Sequence, residues 1–564
     1  MTSLERDRYA RWYGPTTGDR VRLADSCLWI EVERDFTTHG DELLGGCGKT
    51  AREGLLVGRR PGEAGASALD LVVTGVVVVD PALGVCKANI GVKDGRIVAI
   101  GSAGNPTRNP SVDLPVDAHT AIVTGEGLIA TPGIVDSHVH LSSPAIVPAA
   151  LSTGTTTVVG MGTGGVWDVG ANPAYNLHTL MSAWRDVPIN AAFLARGSSN
   201  SPWLLEAAAS SGAGGFKVHE DWGATPHILD VCLDVAEAVD LPVAVHTDSL
   251  NESGYLADTI AATGGRTVHA YHVEGGGGHP DLLEILSEPH VLASSTTPTI
   301  PYTTNTLAEL FPMTMTVHRQ NPDFSGDVAV THSRIRARAI AAENVLHDLG
   351  AISILNSDSM GMGRIAEPLR RGLQLAHVHA LRSGEGGPER SANERVLRYL
   401  AKLTLNPAIA HGMSHEVGSL QPGRLADIVL WNPAYFGAKP ELVLKSGFVA
   451  WGVSGSGSGS TRLCQPRRFR SYFGAMGDAA PRLSCIFVAS EALEDSGSRR
   501  KLPSGLSYTA IRSSRRLTRQ AMQRNTLVPR VQVPLDGSPV LVDGETVDFP
   551  PAESLPLTRL HHLA

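Results

Sequence analysis

The pattern of hydrophobic and polar positions changes texture twice along the chain. Residues 70–100 read DLVVTGVVVVDPALGVCKANIGVKDGRIVAIG, short runs of Val, Ile and Ala broken by Asp-Pro and Lys-Asp-Gly. Asp-Gly readily takes the positive φ angles of a tight hairpin, so this stretch predicts a small β-domain. GSLQPGRLADIVLWNP (418–433) and LVLKSGFVAWG (442–452) share that strand-and-turn character far downstream. Between about 131 and 425, short β-like runs alternate with helical stretches. The runs are TTTVVGM (155–161), GGFKVHE (214–220), LPVAVHT (241–247), RTVHAYHVE (266–274) and AISILNSD (351–358). The helical stretches include HILDVCLDVAEAVD (227–240) and SRIRARAIAAENVLHDLG (333–350).

Strands alternating with helices imply βαβ units and a parallel sheet, and at this length a closed barrel. The predicted fold class is α/β: a (β/α)8 TIM barrel with a β-sandwich-like domain built from the N-terminal and post-barrel segments. The predicted layout is an N-terminal β-rich domain over 1–130, the barrel over 131–425, a return to the β-domain over 426–485 and a C-terminal subunit-contact segment over 486–564.

Composition narrows the function classes. A chain of 564 residues is too long for one ordinary core, and 42% hydrophobic against 18% charged residues excludes a chain disordered throughout. A net charge of −8 argues against a dedicated nucleic-acid binder. The one basic stretch, 461–530, has 14 Arg and Lys against four Asp and Glu and carries no nucleic-acid motif, so it is read as a solvated or subunit-facing surface. The six cysteines are scattered without a CxxC pair, which suggests neither a zinc ribbon nor a disulfide framework. The N-terminal residues are charged, and the longest apolar run, 71–79, is far short of a bilayer span. A soluble cytoplasmic protein is expected, with no membrane and no nucleic-acid partner. Histidine is plentiful, 21 residues, so nitrogen and oxygen donors are the first suspects for any metal.

Three kinds of residue carry that suspicion. In Asp136-Ser137-His138-Val139-His140, residues i and i+2 of a strand share a side, so His138 and His140 can aim at one cation. In Lys217-Val218-His219, Lys217 and His219 share a side as well. A buried lysine amine repels a cation, but CO2 addition turns it into a carbamate whose two oxygens could bridge two cations. His246, His272 and Asp358 also end strand-like runs. Each candidate alone is weak. Their spacing is not: 79, 29, 26 and 86 residues separate His138, Lys217, His246, His272 and Asp358 in turn, which fits barrel strands 1, 4, 5, 6 and 8. Imidazoles with a hard oxygen bridge suit divalent Ni, Zn, Mn or Co, and spacing does not choose among them.

Over about residues 5–450 the chain resembles the alpha subunits of urease, in the amidohydrolase superfamily. The resemblance rests on YGPTTGDRVRLADSCLWIEVERDFTTHGDE (13–42), GFKVHEDWGATP (215–226), HTDSLNESG (246–254), SSTTPTIPYTTNTLAE (294–309), SRIRARAIAAENVLHDLGA (333–351) and SDSMGMGR (357–364). It implies two Ni2+ ions bridged by carbamylated Lys217, with His246 and His272 on one and His138, His140 and Asp358 on the other. It further implies that His219 binds the substrate carbonyl, that Gly361 contacts substrate, and that His318 is the general acid, supported by Asp221 and Arg334. His318 would ride on a flap at about 305–335. The implied reaction is hydrolysis of urea to ammonia and carbamate by hydroxide held on the metals. The implied partners are urease beta and gamma subunits, nickel-loading accessory proteins, and a trimer of heterotrimers.

The chain departs from the family pattern at several places. Val317 stands where a cysteine usually precedes the flap histidine, and Arg319 replaces a second common histidine. The loop after Gly164 and the run GGGGHP (275–280) are shortened, and SGSGSGSTRLCQP replaces a Pro-rich connection. These changes leave the ligand positions intact but touch the substrate side. The alternatives are a related binuclear amidohydrolase acting on another urea, amide or amidine, and a scaffold subunit without catalysis.

Overall fold

The computed structural model describes residues 4–44, 69–106, 109–117, 119–161, 163–164, 167–168, 173–219, 222–247, 255–274, 280–454, 468–494 and 502–558. Asp221, most of the loop after Gly164, the glycine run 275–279 with His279, and residues 455–467 lie outside the described residues.

The hydrophobic runs near the two ends of the predicted barrel share one ten-stranded sheet. Its order runs Arg468–Ser471, Phe448–Ser454, Leu442–Lys445, Ile428–Trp431, Ile129–Pro132, Leu71–Asp80, Gly84–Lys93, Arg34–Asp35. Arg96–Gly101 adds to Gly84–Lys93 across the predicted hairpin, where Asp94 and Gly95 both take positive φ (49° and 76°). The apolar run over 71–79 is therefore a wholly buried strand, and among the described residues no helix is long and apolar enough to cross a membrane.

The α/β region pairs its strands in parallel. Ile134–His140 pairs with Thr155–Met161, which pairs with Asn190–Phe193. The chain continues directly into Ala195–Arg196, which pairs with Phe216–Val218. Val243–His246, Val268–Tyr271, Val291–Thr296 and Ile354–Asn356 follow in order. A parallel bridge joins Val139, on the first of these strands, to Ser359, just past the last. The strands bearing His138, Lys217 and His246 and those preceding His272 and Asp358 occupy places 1, 4, 5, 6 and 8 in this order, as the spacing predicts. Asn190–Phe193 and Val291–Thr296 were not expected.

Two sequence expectations need correction. The helical stretch over 333–350 is broken: one helix ends at Arg334 and another spans Ala337–Leu349, with Ile335 and Arg336 extended between them. Arg334, the last residue before the break, donates Nη1 to His318 Nε2 at 2.9 Å. The basic C-terminal stretch is not uniformly a solvated or subunit-facing surface. Ile486–Val488 extends the parallel sheet beside Asn190–Phe193, and Tyr508–Ala510 extends it again. Asp240 accepts from the amides of Ser513, Ser514 and Arg515, pinning this tail to the helix Pro226–Val239.

Arg519 is wholly buried and donates to the carbonyls of Leu286, Leu527, Glu288 and Val291. Removing a donor so that a buried acceptor is left unsatisfied costs about 1–3 kcal/mol per group. Arg519→Ala strands four such groups and is expected to destabilise the chain by about 3 kcal/mol or more, read as a melting temperature several degrees lower. An unchanged melting temperature would contradict this role.

Candidate metal centre

The site forms where these strands end. His138 and His140 sit on one side of Ile134–His140, two residues apart in an extended segment. Asp358 reaches them from two residues past Ile354–Asn356. His140 Nε2 lies 3.1 Å from Asp358 Oδ1, and His138 Nε2 lies 3.4 Å from the same oxygen. One donor atom from each of the three residues falls within 4.8 Å of the others, the spacing a single ion would bridge.

Lys217 is buried and projects into the same place, its Nζ 3.3 Å from His138 Nε2. The remaining imidazoles close around it. The His246 and His272 ring centroids are 4.2 Å apart, His219 and His246 are 4.1 Å apart, and His138 and His272 are 5.6 Å apart. The six predicted ligand positions and His219 thus converge from five strand ends. His272 and Asp358 both have left-handed backbone, φ 34° and 53°, a conformation that costs non-glycine residues energy and gathers at functional sites. Gly361 packs against the cluster: a Cβ there would come within 2.4 Å of Asp358 Oδ1 and 3.1 Å of His140 Nε2. A side chain there would displace the Asp358 carboxylate from its place in the cluster.

The electrostatics suit cation binding. Burial, reinforced by Lys217 and the neighbouring histidines, keeps His138 well below its usual pKa, and burial with His272 does the same to His246. Both are neutral imidazoles with a lone pair to give. Burial alone would raise Asp358, but the hydrogen bond and charge of His140 override it and hold the carboxyl at about 2. Neutral nitrogen donors and an ionised carboxylate are the set a divalent transition metal takes, so the residues present fit such a group.

The predicted acid lies on a separate segment. His318 caps the helix Thr306–Val317. Its Nδ1 is 2.8 Å from the Thr314 carbonyl, which can only accept, so Nδ1 carries the proton and Nε2 takes a hydrogen bond from Arg334 Nη1 at 2.9 Å. Val317 is exposed.

Other contacts had no signal in the sequence. The Asp136 carboxylate accepts from the amides of His138 (3.3 Å) and Ser357 (3.1 Å), tying together the two segments that carry His138, His140 and Asp358. Trp222 packs on His219 with ring centroids 5.3 Å apart, and Arg196 lies 4.9 Å over the Trp222 ring. Tyr271 packs beneath His138. Asp136 and Tyr271 lie inside the motifs DSHVH and HAYHVE, but the contact of Asp136 with Ser357 spans 221 residues and that of Tyr271 with Ser137 spans 134.

Comparison with known proteins completes the picture. Residues 129–462 match the Amidohydrolase family, and residues 2–123 match the urease alpha-subunit N-terminal domain. Urease subunit alpha 1 of Streptomyces avermitilis is 48% identical over 558 residues, covering 98% of this chain and 99% of that protein. Urease subunit alpha of Sulfurisphaera tokodaii is 46% identical over 569 residues, covering 99% and 100%. Among solved structures, a D-hydantoinase covers 68% of this chain and 95% of its own at 19% identity and a TM-score of 0.48.

Proposed function

Because this chain belongs to the urease alpha-subunit family, it is a urease-type hydrolase, and we propose that it cleaves urea at a centre of two nickel ions bridged by carbamylated Lys217. The observation that carries the reading is the convergence of His138, His140, Asp358 and buried Lys217 on one spot. In this reading the parallel strands close into an eight-stranded barrel beside a sandwich-like β-domain, and the Val139–Ser359 bridge supports closure.

His138, His140 and Asp358 would hold one ion and His246 and His272 the other, with Lys217 between. Bound there, the ions supply Lewis acidity toward a carbonyl oxygen and lower the pKa of water. Urea needs that help, because both nitrogens donate into its carbonyl. His219 orients the substrate by hydrogen bonding to the carbonyl oxygen, its ring held by Trp222. His318 would serve as the acid after Nε2 leaves Arg334 and takes up a proton from solvent; with both ring nitrogens then protonated, Nε2 gives its proton to the departing nitrogen and the ring returns to its neutral form. Asp221 belongs to the same reading as a support for His318, and Gly361 as a substrate contact. Movement of the segment at about 305–335 would exclude water.

The curated relatives are named as subunits, which supports a complex. Assembly with beta and gamma chains as a trimer of heterotrimers, loading by accessory proteins and a cytoplasmic location belong to the proposal. The substrate test compares ammonia release from urea with turnover of substituted ureas, amides and amidines by the nickel-loaded assembly. Urea is expected to be the preferred substrate. Brisk turnover of another compound with none of urea would overturn the reading.

A further inference from the structure

We infer that Tyr271 is a positioning residue that holds the His138 imidazole and its backbone in place for metal binding. The inference rests on the metal-ligand reading of His138 given above. It starts from a weakness in the strand that carries the ligand. The pairing of Ile134–His140 with Thr155–Met161 loses register between Asp136 and Val139, so the ladder does not fix Ser137 and His138 as it fixes their neighbours. The His138 ring has a second weakness. A metal-bound histidine ordinarily donates its other ring nitrogen to a carboxylate, carbonyl or water, which sets the ring plane. His138 is wholly buried, and its Nδ1 has no hydrogen-bond partner among the described residues.

Tyr271 meets both needs. Its ring stacks on His138 with centroids 3.8 Å apart and planes 16° from parallel. Its hydroxyl donates to the Ser137 carbonyl at 2.6 Å, within the stretch that has lost register. The same ring lies 5.2 Å below Lys217 Nζ. Tyr271 is wholly buried, and His269, two residues earlier on the same side of its strand, packs edge-on against it at 4.8 Å. His269 in turn meets His411 at 2.9 Å, so the tyrosine rests on a packed floor and not on a cavity. One side chain on the sixth strand thus fixes ring plane and backbone of a ligand on the first, and faces the ligand on the fourth. Phenylalanine at this position keeps the stack and loses only the grip on Ser137.

The test measures nickel retained per chain by the holoenzyme against graded EDTA, for the native chain, Tyr271→Phe, Tyr271→Leu and His138→Ala. The melting temperature of each metal-free chain is recorded alongside. Loss of a partner that orients a metal ligand typically weakens metal binding about 10–100-fold. Tyr271→Phe is expected near the lower figure, about tenfold, and Tyr271→Leu near the upper, while the one carbonyl Tyr271→Phe leaves unsatisfied lowers its metal-free melting temperature by no more than a few degrees. A merely structural role would lower that melting temperature and leave nickel retention within threefold of native, which overturns the inference. If His138→Ala keeps both ions, the metal-ligand reading itself fails. If His138→Ala loses metal while Tyr271→Phe does not, the inference alone fails. Should Tyr271→Phe yield no folded protein, a crystal structure of the nickel-loaded native chain decides. A Tyr271 hydroxyl bonded to Ser137 and a ring stacked on a metal-bound His138 support the inference, and either contact missing overturns it.

Discussion

Lys217→Ala is expected to abolish urea hydrolysis and to leave the chain with fewer than two bound metal ions. Lys217 is buried among His138, His272 and Asp358, with Nζ 3.3 Å from His138 Nε2. As an ammonium it raises the cost of charge on His138, and beside two cations it would repel both. As a carbamate it carries two oxygens of the right hardness to bridge them. Alanine removes the bridge and leaves a gap between the two histidine sets. Metal polarisation of a carbonyl and activation of water are worth several kcal/mol, and each 1.36 kcal/mol is tenfold in rate, so the loss is expected to reach about a thousandfold or more. The check is ammonia release alongside metal analysis, with a short-chain acid such as formate supplied to replace the lost carboxylate. Near-native activity with two metals bound would remove Lys217 from the centre.

His318→Ala is expected to separate chemistry from metal binding. His318 lies on its own segment, held by Thr314 on one side and Arg334 on the other. It shares no ligand atom with the His138, His140, Asp358 cluster. A positioned general acid contributes about 10²–10⁴-fold, so kcat should fall by that factor while nickel content stays at the native level. Loss of metal together with rate would place His318 in the structural support of the centre and not in proton transfer. Arg334→Gln should fall between native and His318→Ala, because it removes the hydrogen bond to Nε2 and leaves the ring.

Much of this site is legible in the sequence because a parallel strand order converts regular spacing into convergence. His138, Lys217, His246, His272 and Asp358 each end a β-like run, and their separations count strands without any knowledge of their pairing. The i, i+2 rule puts His138 and His140 on one side, and the structure keeps them there. The two strands the sequence hid, Asn190–Phe193 and Val291–Thr296, carry no candidate ligand and have no polar alternation to mark them. The break at Ile335 and Arg336 was hidden for a different reason. Ala337–Leu349 restarts after two extended residues that no Pro or Gly marks, so local helix propensity is blind to the break. Arg519 reads as surface because charge is usually solvated, yet in the interior it donates to the nearby Leu527 carbonyl and to three carbonyls, of Leu286, Glu288 and Val291, far away in sequence. Tyr271 gave no signal because its role depends on a register shift in another strand.

A metal titration decides whether the chain is a dinuclear, nickel-dependent urea hydrolase. Metal-free chain assembled with its small subunits is loaded with increasing nickel in bicarbonate, and bound nickel per chain and ammonia release from urea are measured on the same samples. The proposed chemistry predicts activity that rises with bound metal and levels off at two nickel ions per chain. Full turnover without metal, saturation at one ion, or no ammonia from urea with two ions bound would contradict it.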